Sequence, residues 1–168
     1  MAILDLPGTT AIRIGHRGPV LVCCFLGWPS GAPLRAMADA QLALARQYGR
    51  VTILAIIPVM DPALLKQQGD LAQMNLPDAE RSASLKESAA TGKTLESSTL
   101  ASALVILPRG LLAVMIRSFV GAMSLVSTSQ APLQTFKELV PAIAWLEGQP
   151  QAGVTPGLQR DVEEWLQK

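Results

Sequence analysis

The sequence has few of the residues from which metal sites and nucleophilic active sites are built. Its 168 residues include one histidine and two cysteines. A single His16 excludes a histidine-based metal cluster, and the adjacent Cys23 and Cys24 do not form the C-x-x-C pair of a redox site. No cofactor fingerprint accompanies them. We therefore predict no metal, no cofactor and a non-enzymatic role.

Charge and aromatic residues are also scarce. The formal net charge is +1, and only 4% of the residues are aromatic. A basic field and stacking side chains are what nucleic-acid surfaces require, so we expect no nucleic-acid partner. Hydrophobic residues, in contrast, make up 49% of the chain, which is enough for one folded domain.

The sequence also lacks a membrane signature. Its first residues do not combine a basic segment with a long apolar run, as a secretory signal would. The most apolar stretch, 101–126, is interrupted by Pro108, Arg109 and Arg117, which argues against a transmembrane helix. With no disulfide framework to suggest secretion, we expect a soluble cytoplasmic protein.

Hydrophobic patterns predict alternating strands and helices. A β-hairpin is predicted from residues 10–16 and 20–26, with turn residues at Gly15–Pro19. Its second strand is apolar on both faces. Further strands are predicted at 51–57, 101–107 and, in short form, 132–136. Helical periodicity predicts helices over 34–48, 77–97, 110–125 and 137–147.

This order predicts an α/β domain over residues 1–148, with a mixed, mostly parallel β-sheet flanked by helices. Residues 149–157 have the proline and glycine content of a linker. Residues 158–168 follow as a C-terminal amphipathic tail helix with an apolar stripe formed by Leu158, Val162, Trp165 and Leu166.

The element order and three segments resemble the STAS-like domains, a family named for sulfate transporters and anti-sigma-factor antagonists. Residues 107–123 are similar to a strand–turn–helix of uncharacterised bacterial members. Residues 132–136 and 142–147, with the pair Trp145-Leu146, are similar to their closing strand and helix. The resemblance implies a STAS-like fold and a regulatory, protein-binding role in a bacterial cytoplasm.

The resemblance also implies a position for a regulatory serine. Anti-sigma-factor antagonists are switched by phosphorylation of a serine at the start of a helix, usually in the pair Asp-Ser after a central strand. Here the strand 51–57 is followed by Pro58–Pro62, and the strand 101–107 by Pro108-Arg109-Gly110. Neither segment offers a serine, so we do not expect the usual phospho-serine switch.

Three residues are candidates for binding a ligand. Arg109 follows a buried strand and precedes a helix, where α/β sheets bind ligands and where backbone N–H groups favour anions. Arg117 lies in an otherwise apolar helix, and Trp28 follows the end of another strand. A structural ion pair for the arginines and core packing for Trp28 are the alternatives.

Two binding functions therefore remain open, and a hydrolase or oxidoreductase whose catalytic residues meet only in the folded chain is a third alternative. In the first, the stripe of Leu158, Val162, Trp165 and Leu166 binds another protein or a second copy of the chain in a homodimer; packing on its own domain is the alternative. In the second, the protein binds a lipid or another small apolar ligand. Met115, Phe119 and Met123 would line the cavity, and Arg109 or Arg117 would hold a polar head group.

Overall fold

The structure is a computed structural model that describes residues 2–26, 31–58, 95–107, 114, 117 and 131–167. In this part of the chain, six strands form one sheet in the order β1-β2-β3-β4-β5-β6. The strands are β1 (Leu4–Thr9), β2 (Ile12–Arg17), β3 (Val20–Phe25), β4 (Val51–Ile57), β5 (Thr99–Ile106) and β6 (Leu133–Phe136). The helices are α1 (Gly31–Tyr48), α2 (Leu139–Glu147) and α3 (Leu158–Leu166).

The sheet is mixed, as the sequence predicts. Strands β1, β2 and β3 pair antiparallel, whereas β3, β4, β5 and β6 are parallel to one another. The predicted hairpin is confirmed as β2–β3, with Gly18 in the turn at a φ of 57°. The prediction missed β1, an edge strand that contains Pro7 and Gly8 and has only Leu6 half-buried, so that it lacks a clear apolar alternation.

The position of strand β3 in the sheet explains why its sequence is apolar throughout. Its side chains alternate between two separate hydrophobic clusters, one on each face of the sheet. On one face Val20, Val22 and Cys24 pack with residues of α2 and α3, and on the other Leu21, Cys23 and Phe25 pack with α1. The predicted central position of this strand is therefore confirmed.

Buried polar groups connect α1 to the start of β5. Gln41, on α1, is 1% exposed, and its amide nitrogen donates to Ser98 Oγ at 2.9 Å and to Thr99 Oγ1 at 2.8 Å. Both hydroxyls in turn donate to the carbonyl oxygen of Leu95. Because every donor in this group has an acceptor, its burial is compatible with a stable core.

The predicted helices 77–97 and 110–125 lie largely outside the described residues. Leu95 and Glu96, and separately Val114 and Arg117, are helical where the structure describes them. Of the apolar stretch 101–126, residues 101–106 belong to β5. None of the helices in the described ranges combines the length and the hydropathy that a bilayer crossing requires.

The segment 149–157, which we expected to be a linker, contacts the sheet. Ala152 is buried, and its carbonyl oxygen accepts a hydrogen bond from Thr52 Oγ1 at 2.7 Å. Gly153 has a φ of 65°, and a Cβ added there would lie 2.3 Å from Pro19 Cγ. This backbone therefore approaches the β2–β3 turn more closely than any side chain would allow.

We expect the Gly153→Ala substitution to destabilise the protein more than Gly49→Ala. Both glycines have positive φ, which by itself costs an alanine about 1 kcal/mol. Only Gly153 has a neighbouring side chain in the way, because a Cβ at Gly49 would meet nothing within 4 Å. Urea unfolding of the two variants measures the difference, and equal losses would show that the contact with Pro19 is unimportant.

Candidate functional site

Two of the three ligand-binding candidates, Trp28 and Arg109, follow strands whose carboxyl ends lie together in the sheet. Parallel pairing places Phe25, Ile57 and Ile106 together at the carboxyl ends of β3, β4 and β5. Trp28 and Arg109 lie outside the described residues, as do Met115, Phe119 and Met123 of the expected apolar cavity. Arg117 is described as helical and half-buried. The ligand site at this edge therefore stays a prediction.

The two cysteines are core residues and poor nucleophiles. Both are free thiols and buried, and they belong to opposite faces of β3. Burial raises the pKa of the Cys23 thiol, with a smaller contribution from Cys24. Burial also raises the pKa of Cys24 to about 11, against a lowering effect of Arg13. Since the thiolate is the reactive form, neither group suits catalysis near neutral pH.

His16 lies within strand β2 and is half-buried, although it belongs to the segment Gly15–Pro19 that the sequence predicts as a turn. Its Nδ1 is 3.2 Å from the carbonyl oxygen of Gly18. A carbonyl only accepts, so this contact selects the tautomer with a proton on Nδ1. In the residues that the structure describes, no three His, Cys, Asp or Glu side chains are grouped as metal ligands would be.

The apolar stripe of α3 packs on its own domain. Leu158, Val162 and Trp165 are at most 1% exposed and belong to the hydrophobic cluster under α2, while Leu166 is half-buried against it. Packing on the same domain was one of the alternatives that the sequence left open. In this structure these side chains are consequently not available to a second protein.

Trp165 occupies a site that β2 leaves open for it. Gly15 lies beneath the indole ring, and a Cβ added there would lie 3.3 Å from Trp165 Cε2 and 2.6 Å from Ile3 Cγ2. The guanidinium carbon of Arg13 is 4.2 Å from the ring centroid, within the range of a cation–π interaction. The indole Nε1 donates to Asp5 Oδ1 at 2.6 Å, so the polar edge of the ring is also satisfied.

Arg17, two residues along the same strand, holds the other end of α3. Its side chain is 8% exposed, and its Nε lies 3.2 Å from Oδ2 of Asp161, which is 4% exposed. Its Nη2 donates to the carbonyl of Pro156 at 3.0 Å, and its Nη1 to that of Thr155 at 3.4 Å. We refer to the contacts of Arg13, Gly15 and Arg17 with Asp161 and Trp165 as the β2–α3 contact.

The charge of Asp161 depends on this pairing. Burial by itself raises the pKa of the carboxyl, but Arg17 and, to a smaller extent, Arg160 lower it, and the result lies below the ordinary value of 3.8. Sequence reasoning missed the role of Arg13, Arg17 and Asp161. The available signal was their spacing, since Arg13 and Arg17 share one face of a strand.

The docked α3 forms one wall of an open groove whose other wall is α2. The groove has a volume of about 400 Å³. It is lined by Val140, Ile143, Ala144 and Glu147 of α2, by Gln159, Arg160 and Glu163 of α3, and by Gly157. We call it the α2–α3 groove. Val140 is 52% exposed and gives the groove an accessible apolar surface.

The polar residues of the groove leave it negatively charged. Arg160 is engaged by acids of its own helix, with Asp161 Oδ1 at 3.3 Å and Glu164 Oε1 at 3.7 Å. Glu163 accepts a hydrogen bond from the neutral amide of Gln159 at 2.9 Å. Glu147 is exposed and has no ion pair with any residue that the structure describes. The groove therefore combines apolar side chains on its α2 wall with carboxylates that have no ion pair in the described part of the chain.

We expect acid to weaken the fold partly through Asp161. Because the folded state lowers the pKa of this carboxyl, its stabilising effect is complete above pH 3.8 and is lost as the pH falls below that value. The free energy of unfolding of Asp161→Asn should therefore fall less steeply with acid than that of the unchanged protein. Glu164→Gln, an exposed position of the same helix, is the control. Parallel pH profiles for all three proteins would contradict this role.

We also expect the native thiols to be protected from alkylation. At pH 8 a thiol with a pKa of about 11 has little thiolate, so Cys24 should react roughly 100-fold more slowly than an ordinary exposed cysteine. The comparison is a Thr135→Cys variant, because Thr135 is exposed on β6. Labelling by a chromogenic disulfide reagent measures both rates. Rapid reaction of the unchanged folded protein would contradict the burial of both thiols.

We also compared the chain with known proteins. Neither protein-family models, nor curated proteins, nor solved structures gave a match. A function for this chain must therefore be argued from the packing, charge and accessibility of its own described residues.

Proposed function

We propose that the chain is a STAS-like, non-enzymatic regulatory module of a bacterial cytoplasm that binds another protein through the α2–α3 groove. The observation that carries the proposal is the accessible apolar surface of this groove, in whose α2 wall Val140 is half-exposed. Grooves between helices are a common receptor for a helix of a partner protein. The STAS-like assignment adds the expectation of a regulatory role.

The order of strands and helices is compatible with the assignment. An antiparallel hairpin, β2–β3, leads into parallel strands in sequential order, and α1 lies on the face of the sheet opposite α2 and α3. The segments that resemble the family include β6 and most of α2. This places the α2–α3 groove next to the part of the sequence on which the resemblance rests.

The chemistry of the described side chains favours binding over catalysis. The thiols of Cys23 and Cys24 are buried and protonated at neutral pH, and His16 uses Nδ1 on a backbone carbonyl. The buried charges of Arg17 and Asp161 are used to hold α3. These residues stabilise the fold, and the groove presents residues that contact a surface.

From the sequence, the apolar stripe of α3 was our first candidate for the interface. The surface proposed here is the opposite side of the same helix. Leu158, Val162 and Trp165 hold α3 on the sheet, which leaves Gln159, Arg160 and Glu163 to face the groove. The stripe thus contributes to binding indirectly, because it fixes one wall of the groove.

Site-specific photo-crosslinking tests the proposal. A photoreactive amino acid at position 140 should form an adduct with one defined protein of the source cells, whereas the same group at Tyr48, exposed on α1, should not. An additional Ala144→Arg change in the groove should remove the adduct, since Ala144 is exposed and lines the groove. An adduct that persists, or one with a second copy of the chain, would contradict the proposal.

The purified partner then provides a quantitative measurement. Val140→Asp should weaken binding at least about tenfold, as expected when an apolar contact of an interface is replaced by a charge. Its effect on stability should be small, because the side chain is half-exposed and an acid near the start of a helix is favourable. Unchanged affinity with intact folding would exclude the groove as the binding surface.

A further inference from the structure

The α2–α3 groove also indicates which kind of protein segment it binds. The inference depends on the function proposed above and concerns the chemistry of the partner. Both helices that form the groove have nine residues, so its walls extend about 13 Å. That length matches two to three turns of a partner helix, which would place one or two large apolar side chains over Val140, Ile143 and Ala144.

The charges on the two walls favour a basic partner. One carboxylate, Glu147, comes from α2 and another, Glu163, from α3, so that each wall of the groove carries an acid. The only cation among the described lining residues is Arg160, and its charge is offset by Asp161 and Glu164. An acidic segment would meet like charges, whereas Lys or Arg side chains would meet unpaired carboxylates.

Glu147 is the carboxylate to which a partner cation has the easiest access. It is exposed and lies at the last residue of α2, and it forms no ion pair within the described part of the chain. Glu163, in contrast, already accepts a hydrogen bond from Gln159. A partner cation can therefore bind Glu147 without displacing an internal contact.

We infer that the α2–α3 groove binds a short amphipathic helix of another protein, whose apolar side chains cover Val140 and whose flanking Lys or Arg side chains pair with Glu147 and Glu163. The apolar contact provides the affinity. The charges orient the helix and exclude acidic segments.

Two matched synthetic peptides of about 14 residues provide the test, each an amphipathic helix with leucine on one face. One carries lysine on the flanking positions and the other glutamate. The lysine peptide should bind the unchanged protein more tightly, and its affinity should fall as salt is raised, because exposed ion pairs are screened. Equal binding of both peptides, or tighter binding of the glutamate peptide, would overturn the inference.

Charge reversal within the protein provides the second arm. Glu147→Lys should weaken binding of the lysine peptide about fivefold, the effect expected for one exposed ion pair. The control is Asp39→Lys, which makes the same charge change at an exposed position of α1, on the other face of the sheet. Equal effects of the two substitutions would show that only net charge matters and would overturn the inference.

Val140→Asp separates the two proposals. If Val140→Asp abolishes binding of both peptides but Glu147→Lys changes the affinity of neither, the groove is the binding surface and only the inference of a basic partner is wrong. If binding does not depend on Val140, the proposed function itself fails. Measurement of the variants by calorimetry, with circular dichroism to verify folding, yields one of these results.

Discussion

The ion pair between Arg17 and Asp161 is the interaction on which the packing of α3 against the sheet depends. Both groups are nearly inaccessible to solvent, and removing two charges from water is unfavourable unless each finds sufficient partners. Arg17 hydrogen-bonds the carbonyls of Thr155 and Pro156, and its Nε faces Oδ2 of Asp161 in an ion pair without forming a hydrogen bond to it. A single side chain of β2 thereby fixes both the start of α3 and the segment that leads into it.

The remaining contacts of α3 follow from this anchor. With the start of the helix fixed, Trp165 reaches the position over Gly15, where a side chain on the strand would prevent its approach. Arg13 then lies over the face of the indole ring, and Asp5 accepts a hydrogen bond from its Nε1. The helix is thus held by specific polar contacts at both ends and by apolar packing in between, and its outer side becomes the wall of a groove.

The sequence was sufficient to predict most strands of the sheet, but it was insufficient to predict how the helices pack on the sheet. The apolar run of β3 and the alternation around the β2–β3 turn depend on local periodicity, which is visible in single segments. Strand β1 was missed because Pro7 and Gly8 interrupt its pattern at an exposed edge. Helix α3 was predicted from its stripe, but a stripe does not specify which surface covers it.

The site was less predictable than the fold because it depends on contacts between residues that are distant in the sequence. Arg17 and Asp161 look like ordinary surface charges in the sequence, and nothing local joins residues that are so far apart. The groove at Val140 depends on that contact, so it could not be expected before α3 had been placed. Trp28 and Arg109, the candidates derived from strand ends, are outside the described residues, and their role remains a prediction.

The hydrogen bond from Trp165 to Asp5 joins residues that are 160 positions apart in the sequence, which has a consequence for the order of folding. Contacts of such high sequence separation form late, since the entropy of closing the loop is lost before the contact contributes. During synthesis, the position on β2 over which Trp165 packs stays uncovered until residue 165 has left the ribosome. Until then the nascent sheet exposes apolar surface around Gly15 and is prone to associate with other chains.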